Sequence, residues 1–504
     1  MPTMKYGMRA LVSAVLMTWS ATGIAVAAEP GKPNILFIII DDMGWKDIGI
    51  AGSTYYETPN IDRLAGEGMY FTNAYSAAPT CSPSRGAILT GKAPARTQFT
   101  AVYDGSAGPD DRLQEKSKYR GENDQNFEAL HRHALPKSEV LIAEALRDGG
   151  YTTGLFGKWH AGECDGYFPD QRGFDVAKGY RKIKAPTSKS GHWMKTFRKF
   201  GANLDDADPD AYLADVLTDE CIGFITESKD KPWFAVLSQY LVHSPIQGKP
   251  EKVAHYLKKE ATDQANPGYA AMVGSVDENL GRVLDTLEKL DLGDNTLVIF
   301  TSDNGGLVPI TSNYPLMGGK SFPFEAGMRV PLIVKWPGRI MPGTSEQRVV
   351  GTDFYPTMLS AAGLPLRPQQ HQDGVDLMPL LTEGAVLGKR AIIFHYPHYT
   401  HATGPFSAIV MDGWKLIRFY NDQEGEYLLY NLAEDPCEQN DLASTKPEKL
   451  AELAAELTAS LTGMKAELPT PNPDYKPNPK ALNLQSTLKL AKKERAAFSA
   501  RLEK

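Results

Sequence analysis

Asn34-Ile35-Leu36-Phe37-Ile38-Ile39-Ile40, followed at once by Asp41-Asp42, is the stretch that predicts the fold most directly. A short, continuous apolar run is typical of a strand buried on both faces, as in the centre of a parallel sheet. Similar strand-like runs at 151–156, 233–241, 296–301 and 330–336 alternate with segments of helical periodicity. This alternation predicts an α/β fold with a mostly parallel central sheet flanked by helices.

Polar residues follow the predicted strands, at the edge where open α/β sheets place their sites. Asp41-Asp42 and Asp303-Asn304 are pairs of the hard oxygen ligands that calcium and magnesium prefer. Either pair alone could equally be a helix cap or a turn. A second polar set follows further strands or, in one instance, a pair of glycines that lets backbone approach a ligand closely. Its members are Lys158, His160, His243 and Lys320.

Cys81-Ser82-Pro83-Ser84-Arg85 reads C-x-P-x-R, and Leu89-Thr90-Gly91-Lys92 follows it. Alone, this pattern could be a small buried cysteine before a Ser-Pro turn. With the polar residues above, and in this order, it resembles the type I, formylglycine-dependent sulfatases of the alkaline-phosphatase-like superfamily. The resemblance runs roughly from Lys32 to Leu461 and includes these further segments: Pro33-Asn34, Gly157–His160, Ser302–Gly306, Gly318–Lys320, Arg329-Val330-Pro331 and Leu429–Pro436.

The resemblance implies a sulfuric ester hydrolase whose nucleophile is Cα-formylglycine. A formylglycine-generating or anaerobic sulfatase-maturating enzyme would make this aldehyde from Cys81. Its hydrated form, a diol, can accept sulfate and then expel it by reverting to aldehyde, which regenerates the nucleophile. The resemblance also implies one calcium ion, held by these residues: Asp41, Asp42, the modified Cys81, Asp303 and Asn304.

Catalytic roles follow from the same resemblance, residue by residue. Arg85 and Lys158 would hold the diol and the sulfate, and His160 would deprotonate the second hydroxyl to release sulfate. Asp303 would deprotonate the attacking hydroxyl. His243 and Lys320 would bind sulfate and assist the departing alcohol oxygen, and the sequence leaves open which of them donates the proton.

The chain's length of 504 residues predicts more than one domain. Residues 1–27 have the pattern of a signal peptide, with Lys5 and Arg9 before an apolar run and a cleavage site near Ala27. We therefore expect a secreted or periplasmic protein with no membrane anchor in its mature form. The remaining predicted segments are a catalytic domain at 28–385, a small antiparallel sheet with a packing helix at 386–468, and a proline-rich linker and charged tail at 469–504.

Composition argues against nucleic acid as a partner and limits the number of disulfides. The formal net charge is −7, and loss of the two positive charges of Lys5 and Arg9 changes it to −9. An acidic protein of this kind has no electrostatic basis for binding nucleic acid. The cysteines are at 81, 164, 221 and 437, so modification of Cys81 would leave at most one internal disulfide.

Specificity is expected at the rim of the site, because the polar set above is committed to the sulfate. We expect a sulfated poly- or oligosaccharide, with the polar loops Gln98–Pro136 and Lys184–Asp208 and the segment His395–His401 as candidate contacts. Surface insertions and an aromatic strand packed on the main domain are equally good interpretations of these segments. The individual candidates for substrate binding are His133, His395 and His398.

Two alternatives to a sulfatase remain at this level. One is a phosphonate or phosphate ester hydrolase of the same superfamily, and the other is a sugar-binding relative in which Cys81 stays unmodified. The sequence does not determine the sugar, the sulfate position, endo or exo action, or the oligomeric state.

Overall fold

The computed structural model describes residues 1, 31–102, 111–114, 124–181, 191–420, 426–476 and 481–503. The described residues from 33 onward cluster into one compact unit. The predicted signal peptide falls almost entirely on residues 2–30, which lie outside the described residues.

The strands of the described residues are these: β1 Asn34–Ile40, β2 Met69–Phe71, β3 Ala74–Tyr75, β4 Leu113–Gln114, β5 Asn126–Phe127, β6 His131–Arg132, β7 Thr152–Gly157, β8 Val176–Lys178, β9 Trp233–Ser238, β10 Thr296–Ser302, β11 Leu332–Lys335, β12 Gly343–Ser345, β13 Val349–Val350, β14 Ile392–Tyr396, β15 Phe406–Met411, β16 Trp414–Phe419, β17 Glu426–Asn431 and β18 Thr470–Pro471. The α-helices are these: α1 Pro59–Gly66, α2 Cys81–Thr90, α3 Pro94–Thr97, α4 Ile142–Asp148, α5 Met194–Phe197, α6 Leu213–Glu227, α7 Pro250–Tyr256, α8 Pro267–Lys289, α9 Glu325–Met328, α10 Phe354–Ala361, α11 Met378–Glu383, α12 Pro447–Met464 and α13 Leu484–Leu502.

The large sheet has the strand order β12-β2-β11-β10-β1-β9-β7-β8. Its strands β10, β1, β9, β7 and β8 are parallel, with Asn34 opposite Thr296 and Ile35 opposite Phe234. Of the three remaining strands of this sheet, β11, β2 and β12, only β11 pairs with the parallel part, and it is antiparallel to β10. The predicted mostly parallel sheet is confirmed.

Strand β1 shows why helices cover both faces of this sheet. Side chains alternate across a strand, so an unbroken apolar run must be buried on two sides. Leu36, Ile38 and Ile40 pack in one core cluster with residues of α6 and α8. The intervening Ile35, Phe37 and Ile39 pack in a second cluster with residues of α4 and α10.

The C-terminal sheet is an antiparallel meander in the order β14-β15-β16-β17. Asp412 and Gly413 form a tight turn between β15 and β16, both with positive φ (49° and 82°), as a type I′ hairpin requires. One face of the sheet packs on α12, and the other packs on Phe322 and Phe324 of the larger part of the chain. This second face therefore has a direct connection to the loop that carries Lys320.

The last described helix, α13, lies in the segment predicted to be a charged tail. Three of its side chains, Leu484, Ala491 and Phe498, are buried in the core cluster that contains Phe322 and Phe324. Among the described residues, no helix combines the length and the apolar character needed to cross a membrane.

Candidate active site

The predicted site residues converge at the carboxyl ends of neighbouring parallel strands. Asp41-Asp42 directly follow β1, and Asp303-Asn304 directly follow β10, which is paired with β1 along its length. Lys158 follows β7, two strands away on the other side of β1. Ser238 ends β9, which lies between β1 and β7. Since parallel strands end at one edge of a sheet, the four segments bring their polar groups to one place.

Cys81 is the first residue of α2. Its side chain is buried, with Sγ 3.4 Å from Asp41 Oδ1, 3.8 Å from Asp42 Oδ1 and 3.6 Å from Lys320 Nζ. Burial, with the neighbouring charge of Asp41, raises the pKa of the Cys81 thiol. An unmodified Cys81 is therefore a thiol and not a thiolate, and it would be a poor nucleophile.

Arg85 lies one turn further along α2 and connects three of the converging segments. Its Nε donates to Asp303 Oδ2 at 2.7 Å, and its Nη1 donates to the Lys158 carbonyl at 3.0 Å and to Ser238 Oγ at 2.6 Å. The other terminal nitrogen, Nη2, is buried and has no hydrogen-bond partner among the described residues. This free donor points to an anion that completes the guanidinium's contacts.

The carboxylates of the site are paired with lysines. Lys158 Nζ lies 2.7 Å from Asp41 Oδ2, and Lys320 Nζ lies 2.7 Å from the Asp42 carboxylate. Burial alone would raise the pKa of Asp41, but the charge of Lys158, with smaller contributions from its other cationic neighbours, lowers it well below its ordinary value. Burial raises the pKa of Asp303 to about 6, although Arg85 opposes this shift.

His243 and His192 are linked at the edge of the site. His243 Nδ1 donates to the Ser244 carbonyl at 2.7 Å, which leaves Nε2 facing Asp42 Oδ2 at 3.7 Å. His192 Nε2 donates to the His243 carbonyl at 2.8 Å and so braces its backbone. Burial, and then the charge of Lys320, lower the pKa of His243, so its ring is neutral at neutral pH.

His160 has a left-handed backbone, with φ at 60°. Burial, and then the charges of Lys158 and Arg85, lower the pKa of His160 well below its ordinary value. Its Nδ1 is buried without a hydrogen-bond partner among the described residues. The ring is thus neutral, with a nitrogen available for proton transfer.

The donor set fits a hard divalent cation. Ligand atoms of Asp41, Asp42, Cys81 and His243 all lie within 4.8 Å of one another. Asn304 Nδ2 donates to Asp42 Oδ1 at 2.9 Å, whereas the buried Asn304 Oδ1 has no hydrogen-bond partner among the described residues. An orphaned amide oxygen beside buried carboxylates is the arrangement that a calcium ion satisfies.

The histidines predicted to bind substrate lie in the interior. His395 bonds through Nδ1 to Ser407 Oγ at 2.7 Å and through Nε2 to the Glu467 carbonyl at 3.0 Å. His398 Nε2 bonds to Thr100 Oγ1 at 2.8 Å, and the His133 ring packs on that of His131. All are buried, and a buried ring cannot touch a saccharide without rearrangement. That contact stays a prediction, and the geometry favours a structural role for His133, His395 and His398.

Three residues near the site were not singled out from the sequence. Ser238 has no local signal beyond its position at the end of β9, whereas His192 lies in a loop predicted to be functional. His401, in the His-rich segment after β14, is exposed. It neighbours Thr400, whose Oγ1 lies 3.5 Å from the Ser321 carbonyl, so its backbone runs beside the loop of Lys320.

Comparison with known proteins agrees with this geometry. The sequence profile of the sulfatase family matches residues 33–364, and the profile described as N-sulphoglucosamine sulphohydrolase, C-terminal, matches residues 317–467. The chain is 33% identical over 402 residues to N-acetylgalactosamine-6-sulfatase of Rattus norvegicus, which covers 76% of this chain and 71% of that protein. It is 31% identical over 490 residues to a sulfatase of Formosa agariphila, covering 83% and 86%.

Solved structures show the same architecture. The crystal structure of Ps i-CgsB superposes with a TM-score of 0.72 at 26% sequence identity, covering 93% of this chain and 99% of that one. A phosphonate monoester hydrolase of Agrobacterium radiobacter, at 21% identity and a TM-score of 0.61, shares the fold. The family profile, the relatives and the fold together show that this chain belongs to the sulfatase family and is a sulfuric ester hydrolase of the alkaline-phosphatase-like fold.

Proposed function

We propose that this chain is an exported sulfatase that hydrolyses sulfate esters of a poly- or oligosaccharide, with Cys81 converted to formylglycine and one bound calcium ion. Two relatives support the substrate class: the rat relative is named for N-acetylgalactosamine-6-sulfate, and Ps i-CgsB was crystallised with k-i-k-neocarrahexaose. The observation that carries the proposal is the cluster of unpaired donors and acceptors around Cys81, which matches an anion on one side and a cation on the other.

Conversion of Cys81 would supply the nucleophile that the unmodified thiol does not provide. The buried thiol, 2% exposed and with a raised pKa, is a weak nucleophile, yet it lies at the centre of the polar cluster. Formylglycine supplies a hydrated aldehyde that can take up a sulfuryl group and release it again. The C-x-P-x-R motif and the following Leu89-Thr90-Gly91 support this assignment.

Calcium would be held by these side chains: Asp41, Asp42, Asp303, Asn304 and the modified Cys81. Without a metal, three carboxylates face three cationic groups, Arg85, Lys158 and Lys320, so the side chains alone offer a sulfate ester no net positive charge. A divalent cation supplies that charge and would stabilise negative charge on the sulfuryl oxygens. The fit of the orphaned Asn304 Oδ1 supports its place in the set.

Sulfate binding and proton transfer are assigned to side chains of the chain itself. Arg85, through its unpartnered Nη2, and Lys158 would bind the sulfuryl oxygens. Asp303, with its pKa raised by burial to about 6, is suited to accept the proton of the attacking hydroxyl at neutral pH. His160 is neutral and would accept the second proton as sulfate leaves.

The leaving side of the site contains Lys320 and His243. A carbonyl oxygen can only accept a hydrogen bond, so His243 Nδ1 must donate to the Ser244 carbonyl. In the neutral ring the proton is therefore on Nδ1, and Nε2 is unprotonated. Lys320 is charged, because the neighbouring Asp42 more than offsets the effect of burial and raises the Lys320 pKa. We assign the proton for the departing alcohol oxygen to Lys320, with His243 as an acceptor that orients the alcohol.

Specificity would come from the rim, where parts of the loops 98–136 and 184–208 lie outside the described residues. Within the segment His395–His401, we propose His401 as the sugar contact. It is exposed and its backbone runs beside Ser321, whereas His395 and His398 are buried.

Matched rates on an aryl sulfate and the corresponding aryl phosphate test the reaction class, followed by a screen of sulfated oligosaccharides of defined linkage. We expect a strong preference for the sulfate, together with formylglycine at residue 81. Faster phosphate cleavage would favour the ester hydrolase alternative, and active protein that carries only unmodified cysteine would refute the proposed nucleophile.

A further inference from the structure

A buried ionic cluster joins the loop that carries Lys320 to the C-terminal sheet. Its members are Glu325 at the start of α9, Arg329 just after α9, Lys415 on β16 and Glu438 after β17. The side chains of Glu325 and Lys415 are 0% exposed, and Glu438 is 1% exposed as a residue. Charged side chains are almost never buried this completely unless they are paired.

The contacts of the cluster are short and mutual. Lys415 Nζ lies 3.1 Å from Glu325 Oε1 and 2.8 Å from Glu438 Oε1. Glu438 Oε2 accepts the backbone N–H of Glu325 at 2.6 Å. On the other side, Glu325 Oε2 accepts from Arg329 Nη2 at 2.7 Å and from Tyr75 Oη at 2.8 Å. Glu325 is thus bonded to the C-terminal region through Lys415 and Glu438, and to the larger part of the chain through Arg329 and Tyr75.

Formally the cluster has two carboxylates against one lysine and one arginine, and burial raises the pKa of Glu438 to about 7 although the charge of Lys415 opposes this shift. Burial would raise the pKa of Glu325, but Lys415 and Arg329 lower it to about 2, so this carboxylate is ionised at neutral pH. Removal of a single partner would leave an uncompensated buried charge, which is strongly destabilising. The cluster therefore fixes the position of Glu325 relative to β16.

The loop between Lys320 and Glu325 has little freedom of its own. Its Phe322 and Phe324 side chains are buried in the core of the C-terminal sheet. The amide of Lys320 donates to the Gly306 carbonyl at 2.9 Å, and that of Ser321 donates to the Pro79 carbonyl at 2.9 Å, close to Cys81. A shift of Glu325 would be transmitted to the backbone of Lys320 over a short, packed stretch.

The cluster also gives a role to one motif that the catalytic site leaves unexplained, and to the turn that follows another. Arg329 belongs to Arg329-Val330-Pro331, and Glu438 lies in the turn that follows Leu429–Pro436. Neither motif contacts Cys81 or the carboxylates beside it among the contacts of the described residues.

We propose that Lys415 and Glu438 are positioning residues for catalysis, which act through Glu325 to hold Lys320 within reach of the reacting atoms. The proposal rests on the role of Lys320 at the departing oxygen. The Lys320 side chain is long and flexible, so its backbone must be placed for Nζ to reach Asp42 Oδ2 at 2.7 Å. A misplacement near 1 Å can lower a rate by about 100-fold.

The test uses the doubly substituted, charge-balanced full-length enzyme, Lys415→Met/Glu438→Gln. It removes one positive and one negative charge and leaves the Glu325–Arg329 pair neutral overall. At a temperature where the variant is folded, we expect kcat on an aryl sulfate to fall at least about tenfold. We also expect faster hydrogen exchange at the amides of Lys320 and Ser321. Glu438→Gln alone is the second variant: it keeps an acceptor for the Glu325 amide but leaves one buried positive charge less compensated. It should lower stability and, where folded, change kcat and exchange in the same direction.

Arg390→Met is the control, because it breaks another, partly buried pair near the C-terminal sheet, with the buried Asp353 at 2.6 Å. It should lower stability while kcat and the exchange of the Lys320 loop stay at wild-type values. In a Lys320→Ala background, the double substitution should cause little further loss of kcat.

Wild-type kcat and full protection of the two amides in the folded double variant would overturn the proposal, as would an undiminished further loss in the Lys320→Ala background. Wild-type kcat in Lys320→Ala itself would contradict the catalytic role of Lys320. The exchange measurement would still decide whether Lys415 and Glu438 hold the Lys320 loop in place.

Discussion

The calcium proposal makes a quantitative prediction for Asp42→Asn. Asp42 has a left-handed backbone, with φ at 67°, which asparagine tolerates well. The substitution preserves size and the backbone N–H bond to Asp303 Oδ1 at 3.2 Å, but it removes one of the negative charges around the proposed ion. The variant therefore isolates the charge of one ligand.

The magnitude follows from binding linkage and Coulomb's law. A cation present at 100 times its Kd stabilises the folded protein by about 2.7 kcal/mol. One unit-charge pair 4 Å apart contributes about 4 kcal/mol at an effective dielectric constant near 20, and a divalent ion about twice that. Loss of one carboxylate should thus weaken binding by more than about 100-fold, which reduces the gain at the same calcium concentration to about 0.4 kcal/mol or less.

Urea denaturation with calcium and with chelator measures the gain directly. Asp47→Asn is the matched control, because Asp47 is also buried but bonds to Tyr269 Oη at 2.5 Å and the Gly44 amide at 2.7 Å, outside the proposed ligand set. Asp47→Asn should keep the wild-type gain, whereas Asp42→Asn should lose it. An equal gain in Asp42→Asn and wild type would refute the assignment, and so would a wild type that gains nothing from calcium.

Four further predictions address other groups. The tryptic peptide that contains residue 81 should be lighter than its thiol form by the exchange of sulfur for oxygen and the loss of two hydrogens; an unchanged mass in active protein would contradict it. His160→Ala should lower kcat by about 100-fold or more, as is usual for a lost general base, with near-native circular dichroism as the control. His401→Ala should weaken kcat/KM on a natural saccharide by about 1–3 kcal/mol and spare a small aryl sulfate, while the buried His398→Ala should affect stability and both substrates alike. Burial lowers the pKa of His395 to about 4 from an ordinary value of 6.5. The unfolded chain therefore binds more protons than the folded protein between these pH values, so the free energy of unfolding should fall by up to about 3 kcal/mol as the pH drops through this window. A His395→Phe variant whose stability keeps the same dependence on pH would exclude this cause.

The sequence was sufficient to predict the sheet and the polar residues at its edge, because strand C-termini are marked by the change from apolar to polar residues. It was insufficient for the start of α2, since a Ser-Pro step resembles a turn, whereas Ser82 and Pro83 lie inside the helix that begins at Cys81. The strand order was also beyond local patterns, because β1 pairs with β9 and β10, both of which come nearly 200 residues or more later in the chain.

Long-range contacts explain most of what the sequence could not predict. His395 and His398 have the composition of a binding segment, and only the packing of β14 against β15 and of Thr100 against His398 places them inside. The cluster of Glu325, Lys415 and Glu438 has no local pattern, since its members are far apart in sequence and meet only when the C-terminal sheet docks.

On the proposed roles, the two sides of the reaction are supported by different parts of the chain. Among the described residues, Arg85 bonds only to groups at the carboxyl ends of the parallel strands, namely Asp303, Ser238 and the carbonyl of Lys158, so the nucleophile side is held by the large sheet. The loop of Lys320 packs instead on the C-terminal sheet, which also contributes the segment of His401. Changes in the C-terminal sheet should therefore act mainly on the leaving alcohol and the rate of its departure, with a smaller effect on the nucleophile through Lys320, whose Nζ lies 3.6 Å from Cys81 Sγ. A fold divided in this way can keep one sulfuryl-transfer chemistry while its sugar specificity changes.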